Sequence, residues 1–411
     1  MNDNRFSCAA ILLFWLAIPG LAQEPLPILF NQNFEGASLG RVEKLGDTTF
    51  RCYVEGQYDE RGRNRQASWF YFRLDRVQGR DITLTLTDFI GEYNDKPGAV
   101  PVDAESFPMF SYNNRDWKHF PAMDWDNEKK EQTIRFKPEQ DSIWIALQAP
   151  YTWSDLLKLL ADLERSPHAV VEVIGKTAQN RDLHQVTVTN PKVPEVGKKT
   201  VWLQARQHAW ESGTSFVMEG ALRWVVSDDA KARALRDKVI FKFTPMLDPD
   251  GCATGKVRFN ANGYDVNRHW NKVDLRHPEL LRQMPEIWYA KKAILAHHAA
   301  QPIALMVNLH NTNTEFIDTE ATDDASQAMF RKFFDTLVAQ THFDPTRKLG
   351  FRMNASSDAN SLYREAKVPI CLMELRTLKG PKLGRTVTYK DRLEYGAQLI
   401  RVMAETALEP K

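Results

Sequence analysis

The chain has 411 residues, of which 43% are hydrophobic and 26% charged, a composition typical of a globular protein with room for two domains. Its formal net charge of +1 offers no electrostatic basis for binding nucleic acid or an acidic membrane surface. No Gly-rich phosphate loop, dinucleotide fingerprint or solenoid repeat is present, which argues against nucleotide-binding and repeat proteins.

The N-terminus, residues 1–22, has the pattern of a secretory signal peptide. Arg5 lies in a short polar start, and an apolar run at 8–22 ends in small residues. This run is too short for a comfortable membrane span. The sequence therefore predicts cleavage near Ala22–Gln23, export to the periplasm or the medium, and no stable membrane insertion afterwards. An uncleaved anchor is the alternative.

Three cysteines follow this segment: Cys52, Cys252 and Cys371. Their number is odd and their spacing is wide, which is not the pattern of a disulfide framework. No two of them have the spacing of zinc ligands. The sequence therefore predicts no structural role for cysteine cross-links.

Residues 23–150 are predicted to form a β-sandwich domain. Short stretches rich in aromatic and β-branched residues alternate with turn residues, and no long helical pattern interrupts them. The five clearest predicted strands are "TTFRCYVEG", "SWFYFRLDRV", "RDITLTLTDF", "QTIRFKPE" and "SIWIALQAP". The simplest arrangement for these strands is an antiparallel sandwich.

Residues 151–411 are predicted to form an α/β domain. The stretch "SDLLKLLADLERS" has helical spacing, and Ser154 is its predicted N-cap. After it, near-continuous apolar strands alternate with amphipathic helices. The predicted strands are "KKTVWLQA", "KVIFKFTPML", "IALMVNL" and "VPICLMEL". This pattern predicts a mixed, largely parallel sheet that helices cover on both faces.

Polar residues follow each of the four predicted strands of this sheet. The pair His208-x-x-Glu211 follows the first, Asp248 to Gly251 follow the second, His310 ends the third, and Glu374 ends the fourth. Ligands of open α/β sheets bind beyond the carboxyl ends of the strands. Four polar features at four strand ends therefore predict one shared site, although a His-x-x-Glu pair alone would be weak evidence.

Two histidines and a carboxylate form the usual three-ligand set of a catalytic zinc, which keeps its fourth position for water. We therefore expect His208, Glu211 and His310 to bind one Zn²⁺ per chain. Glu374 ends a strand whose apolar pattern predicts burial. A carboxylate at this position could act as the general base for the activated water. The structural alternative for Glu374 is an ion pair with Arg376 or a nearby lysine.

The loop "DPDGCATGKVRFNANGYDVNRHW" lies between these strands and contains Arg258 and the pair Asn267–Arg268. An arginine at a zinc site can stabilise the oxyanion of a tetrahedral intermediate. A second arginine beside an amide is a suitable receptor for a carboxylate, because its two parallel donors match the two oxygens. A solvated basic loop is the alternative interpretation.

The ordered set of His-x-x-Glu, Pro-Asp-Gly, Arg, Asn-Arg, strand-ending His and strand-ending Glu resembles the zinc metallocarboxypeptidases. The stretch "NANGYDVNRHW" is similar to a motif of that family, and the nine-residue step from Arg258 to Asn267 is similar to its cytosolic branch. Upstream, "SWFYFRLDRVQG" and "ALQAPYTWSDLLKLL" resemble the N-terminal β-sandwich of that branch.

The resemblance implies a zinc exopeptidase acting on peptides that have a free C-terminal carboxylate. It implies that Arg258 polarises the scissile carbonyl and that Asn267 and Arg268 hold the terminal carboxylate. Many relatives also cover the substrate with a tyrosine, for which Tyr363 in the predicted helix "ANSLYREAK" is the nearest candidate. One departure is Trp210, which stands where a glycine is common in that branch.

Two other functions remain open at this point. A deacylase of the aspartoacylase and succinylglutamate-desuccinylase kind would also use His-x-x-Glu and a later His. A catalytically silent binding protein is the alternative from another class, although every predicted ligand and the base are present. The sequence indicates neither the preferred terminal residue, nor the natural substrate, nor the oligomeric state.

Overall fold

A computed structural model describes residues 26–93 and 95–409 of the protein. The predicted signal peptide at 1–22 lies outside these residues, so its cleavage and the export of the protein stay predictions. Among the helices of the described residues, none combines the length and apolarity that crossing a bilayer requires. The three cysteines of this part are all buried and unpaired.

The regular secondary structure of the first domain, over its described residues, is made of short β-strands. Their bounds are β1 (Leu29–Asn31), β2 (Val42–Lys44), β3 (Thr49–Tyr53), β4 (Tyr71–Asp75), β5 (Ile82–Thr87), β6 (Gly91–Tyr93), β7 (Lys96–Ala99), β8 (Met109–Ser111), β9 (Lys118–His119), β10 (Asp124–Asp126), β11 (Glu131–Phe136) and β12 (Ser142–Ala146). Two sheets form, in the orders β1-β4-β12-β8-β9 and β10-β11-β5-β3-β2, and β6 pairs with β7 in a separate hairpin.

All five strands predicted for this domain are present, as β3, β4, β5, β11 and β12. Alternation explains their formation: in β5 the side chains of Ile82, Leu84 and Leu86 are buried, and the threonines between them are less so. One detail differs from the predicted antiparallel arrangement, because β3 and β5 pair in parallel. The strand β4 and its connections lie between them in the chain, so no hairpin joins them.

The second domain alternates strands and helices. Their bounds are α1 (Trp153–Leu163), β13 (Ala169–Lys176), β14 (Asp182–Val188), β15 (Lys199–Gln204), α2 (Ser212–Val226), α3 (Ala230–Arg236), β16 (Val239–Thr244), α4 (Pro249–Thr254), a 3₁₀ turn (Pro278–Leu280), α5 (Pro285–Ala300), β17 (Ile303–Thr312), β18 (Phe316–Thr319), α6 (Asp324–Gln340), α7 (Asp358–Ala366), β19 (Ile370–Arg376), β20 (Lys379–Gly380), β21 (Arg385–Thr386) and α8 (Tyr389–Leu408).

Seven of these strands form one mixed sheet, in the order β13-β14-β16-β15-β17-β19-β18. The four predicted strands β16, β15, β17 and β19 are its parallel centre, and β13, β14 and β18 extend it antiparallel. All six residues of β16 are buried, so both faces of the sheet are covered. The predicted fold class, a largely parallel sheet between helices after a β-sandwich, is confirmed.

The start of α1 differs from the prediction. The residue before the helix is Thr152, whose backbone N–H and hydroxyl both donate to the Asp155 carboxylate at 3.0 Å. Ser154 lies inside the first turn, where its backbone N–H donates to Glu35. The predicted Ser154 cap is therefore wrong, because the Thr-x-x-Asp pair two residues earlier forms a capping box.

A buried carboxyl at the start of α5 makes stability depend on pH. Burial, followed by the charge of Asp248, raises the pKa of Glu286 to about 8. Asn260 donates to one oxygen at 2.8 Å, and the other has no partner among the described residues. The folded state thus binds the proton more tightly than the unfolded chain does, and this stabilisation is lost as the pH rises to about 8.

We expect Glu286→Gln to remove this loss of stability at high pH. The free energy of unfolding of the wild type should fall between pH 5 and pH 8 by a few kcal/mol more than that of the variant, since one pKa unit corresponds to about 1.4 kcal/mol. Urea unfolding at both pH values measures this difference. The exposed Glu279→Gln is the matched control. Equal pH dependence in the wild type and Glu286→Gln would contradict the prediction.

Candidate active site

The three predicted metal ligands and Glu374 meet at the carboxyl ends of three neighbouring parallel strands. β15 lies beside β17, and β17 beside β19. His310 on β17 is the direct partner of Glu374 on β19 in the register. His208 and Glu211 lie in the short segment between β15 and α2, which leaves the sheet at the same edge.

The segment between β15 and α2 is held in shape by Arg206. This residue has a left-handed backbone (φ 56°) and a buried side chain. Its guanidinium donates to the carbonyls of Tyr151 and Ala209 at 3.0 and 2.6 Å and to the Ser215 hydroxyl at 2.9 Å. These contacts tie the segment to the start of α2 and fix the direction in which the histidine and glutamate project.

His208, Glu211 and His310 form one compact group of donor atoms. One atom from each residue lies within 4.8 Å of the others, and all three side chains are buried. His208 Nδ1 is 2.8 Å from Glu211 Oε1, and His310 Nδ1 is 3.0 Å from Glu211 Oε2. The two imidazoles therefore turn the same ring nitrogen toward the carboxylate.

The other ring nitrogen of each histidine lies among polar side chains, which for His310 include the amide nitrogen of Asn308 at 3.0 Å as well as an acceptor. His208 Nε2 lies 3.2 Å from Asp265 Oδ1, and His310 Nε2 lies 3.0 Å from Gln207 Oε1. With a metal ion between them, each histidine would offer the lone pair of Nδ1 and keep its hydrogen on Nε2, where Asp265 or Gln207 accepts it. Two imidazole nitrogens and a carboxylate converging on one point fit a zinc ion, and the outer acceptors suit the tautomer that this would require.

Asp265 is the residue of this group that the sequence analysis did not single out. Besides His208 it accepts from Arg258 Nε at 2.7 Å. Burial favours its neutral form, but the Arg258 charge holds the pKa of Asp265 well below its ordinary value. One carboxylate thus orients a proposed ligand and the proposed oxyanion arginine together. The sequence offered one signal for Asp265, namely its position two residues before Asn267.

Glu374 lies beside the metal-ligand group without belonging to it. Its Oε2 atom is buried and has no hydrogen-bond partner among the described residues. Burial, and then the charge of Glu211, raise the pKa of Glu374 well above its ordinary value, whereas Arg258 lowers it. A divalent cation on the ligands would offset the Glu211 charge. The carboxylate is therefore placed to accept a proton.

Arg258 and Arg268 line one cavity of about 470 Å³, a volume within the usual range for small-ligand sites. Both domains contribute to its walls, and Asp59, Asp95 and Tyr93 come from the first. Arg268 Nη1 donates to the Asn267 carbonyl at 2.8 Å and Nη2 to the Tyr93 hydroxyl at 3.3 Å, and the other donors of the guanidinium have no acceptor among the described residues. The cavity can therefore receive an acidic group between the two arginines.

The two other residues predicted to bind substrate, Asn267 and Tyr363, do not line this cavity. The Asn267 amide is buried 3.2 Å from His310 Nε2 and does not line the cavity. Tyr363 is buried on α7, where its hydroxyl accepts from the Thr322 backbone at 3.0 Å and donates to Asp323. The role predicted for Tyr363 is not supported, because its hydroxyl bonds to Thr322 and to Asp323, the N-cap of α6, and not to the ligand group.

The first domain holds the loop that carries Arg258. Gln57 Oε1 accepts from the backbone N–H of Val257, Arg258 and Phe259 at 2.8–3.0 Å, and its Nε2 donates to the Phe259 carbonyl. Trp210, between the two ligands that precede α2, packs against the hydrophobic core of the first domain. No local sequence pattern indicates these contacts, which join residues far apart in the chain.

Two protein families match the chain. Residues 30–147 match the N-terminal domain of cytosolic carboxypeptidases, and residues 156–320 match the zinc carboxypeptidases. The first range corresponds to the two-sheet domain, and the second contains every proposed ligand together with Arg258 and Arg268. Glu374 lies beyond the matched range.

Individual relatives are similar to this chain over two thirds of its length or more. Cytosolic carboxypeptidase 3 of Mus musculus is 27% identical over 309 residues, which are 69% of this chain and 29% of the mouse protein. An uncharacterized protein of Zymomonas mobilis is 29% identical over 345 residues, 82% of each chain. The chain thus spans less than a third of the mouse relative and most of the bacterial one.

Solved structures share the fold over nearly the whole chain. A metallo-carboxypeptidase of Burkholderia cenocepacia superimposes with a TM-score of 0.79 at 22% identity, over 93% of this chain and 99% of its own. A metallo-carboxypeptidase of Pseudomonas aeruginosa does so with a TM-score of 0.75 at 18% identity, over 92% and 98%. The two-domain architecture is therefore common to these proteins.

Proposed function

Because this chain belongs to the zinc carboxypeptidase family and carries the N-terminal domain of its cytosolic branch, we propose that it is a zinc-dependent carboxypeptidase. It would hydrolyse the C-terminal peptide or isopeptide bond of peptides that have a free terminal carboxylate. One observation carries this proposal: a buried His-Glu-His group, a cavity with two arginines, and a glutamate whose buried oxygen has no hydrogen-bond partner among the described residues adjoin one another.

In the proposed reaction, each group of residues has a separate role. Zinc held by His208, Glu211 and His310 would polarise the scissile carbonyl and lower the pKa of a water molecule. Glu374 accepts the proton of the attacking water and returns it to the leaving nitrogen. Arg258, fixed by Asp265, stabilises the negative charge that develops on the carbonyl oxygen.

Arg268 sets the position of the cut in this proposal. Its guanidinium faces the cavity and is anchored by the Asn267 carbonyl, so it can bind a terminal carboxylate through two parallel hydrogen bonds. A carboxylate held there places only the last peptide bond at the ligand group. Internal bonds lack that anchor, and the enzyme would therefore remove single terminal residues.

The metal assignment is tested by zinc content. We expect about one zinc per chain in the dialysed wild type, loss of activity on chelation and recovery when zinc is returned. His310→Ala should lose the metal at equimolar zinc, because one of three ligands is gone. The exposed His277→Ala is the control and should keep its zinc. A full zinc complement in His310→Ala would rule out this ligand set.

A further inference from the structure

Tyr93 of the first domain lies directly over the two arginines of the cavity. Its hydroxyl oxygen is 3.3 Å from Arg268 Nη2, from which it accepts a hydrogen bond. Its ring faces the guanidinium carbon of Arg258 at 5.2 Å from the ring centre. No other residue of the first domain has such contacts with both arginines among the described residues. The side chain is 43% exposed, so a ligand can reach it.

The hairpin that carries Tyr93 is anchored firmly. Asp95, at its turn, accepts from Arg61 at 2.8 Å and Arg63 at 2.9 Å, and its backbone N–H donates to Asn64 at 2.6 Å. Gly91 at the start of β6 packs so closely that a Cβ would lie 2.2 Å from the Arg65 carbonyl oxygen. These contacts hold the hairpin, and with it Tyr93, in position before any substrate binds.

The hydroxyl hydrogen of Tyr93 has no acceptor among the described residues, because the bond to Arg268 uses only the oxygen. An anion held by Arg268 would place an oxygen within reach of that hydrogen. We propose that Tyr93 is a substrate-binding residue, which donates to the terminal carboxylate of the peptide. The first domain would then be part of the substrate site. This inference rests on the proposed function.

The test compares Tyr93→Phe with the wild type on matched peptides that end in a free acid or an amide. The variant loses one hydrogen bond to a charged group, so we expect KM for the acid to rise about ten-fold and kcat to change less than two-fold. The amide should be affected less than two-fold. Tyr53→Phe is the control, since Tyr53 also bonds a charged side chain and lies against an arginine, but within the first domain.

A double-mutant cycle separates binding from a structural role. If Tyr93 acts through the carboxylate, Tyr93→Phe should have almost no further effect in the Arg268→Ala background. Equal losses on acid and amide, or an unchanged acid preference in Tyr93→Phe, would overturn the proposal for Tyr93 alone. A wild type that cleaves acid and amide equally would overturn the proposed function, and the role of Tyr93 with it.

Discussion

Amidating the C-terminus of a peptide substrate is expected to lower the kcat/KM of the wild type by about two decades. The amide lacks the negative charge and one acceptor, which leaves Arg268 with an unmatched charge in the bound state. Stranding one member of a buried pair costs about 3–5 kcal/mol, and the lower value applies because Arg268 is partly exposed. About 3 kcal/mol corresponds to about two decades.

Arg268→Ala should remove most of this preference by slowing cleavage of the free acid far more than that of the amide. The measurement is kcat/KM for both peptides with both enzymes. Arg276→Ala is a suitable control, since Arg276 lies eight residues further along, is 82% exposed in its side chain and pairs with Asp274 alone among the described residues. An acid preference that survives in Arg268→Ala would mean that another group binds the carboxylate.

Glu374→Gln is expected to lower kcat by about 10²–10⁴-fold, the range of lost general-base catalysis. Glutamine keeps the shape of the side chain but cannot accept a proton from water. KM should change little and zinc should be retained, because Glu374 is outside the ligand group. Steady-state kinetics and metal analysis of the same preparation measure both quantities.

The control for this variant is Glu394→Gln, which changes an exposed carboxylate on α8. It should leave kcat and zinc content unchanged. A Glu374→Gln enzyme with activity within a few-fold of the wild type would show that a different group activates the water. Loss of zinc together with activity would instead show that Glu374 supports the ligand group.

The proximity of the proposed ligands and the proposed base could be predicted from the sequence because each follows or ends a strand with a clear apolar pattern. His310 and Glu374 end such strands, and parallel neighbours bring their ends together. His208 and Glu211 lie three residues apart in one short segment, so their proximity is local. The fold class followed from the same alternation of strands and helices.

Apart from Asp265, the residues that escaped prediction are those whose role depends on contacts between the two domains. Tyr93 and Arg268 are 175 residues apart, and Gln57 and Arg258 are 201 apart. No periodicity or local motif encodes such a contact. Tyr363 was selected because it precedes Glu374 in the chain, but helix α7 turns its hydroxyl toward the start of α6. Sequence order was a poor guide to that side chain's position.

The central claim, cleavage of the last residue, is tested most directly by mass analysis of the products that the zinc-loaded wild type forms from an unmodified peptide. The account predicts products shortened from the C-terminus by one residue at a time, with none from the same peptide when the enzyme has been chelated. Internal fragments would contradict it. So would release of an acyl group from an N-acylated amino acid with the peptide left intact, which is the outcome expected of a deacylase.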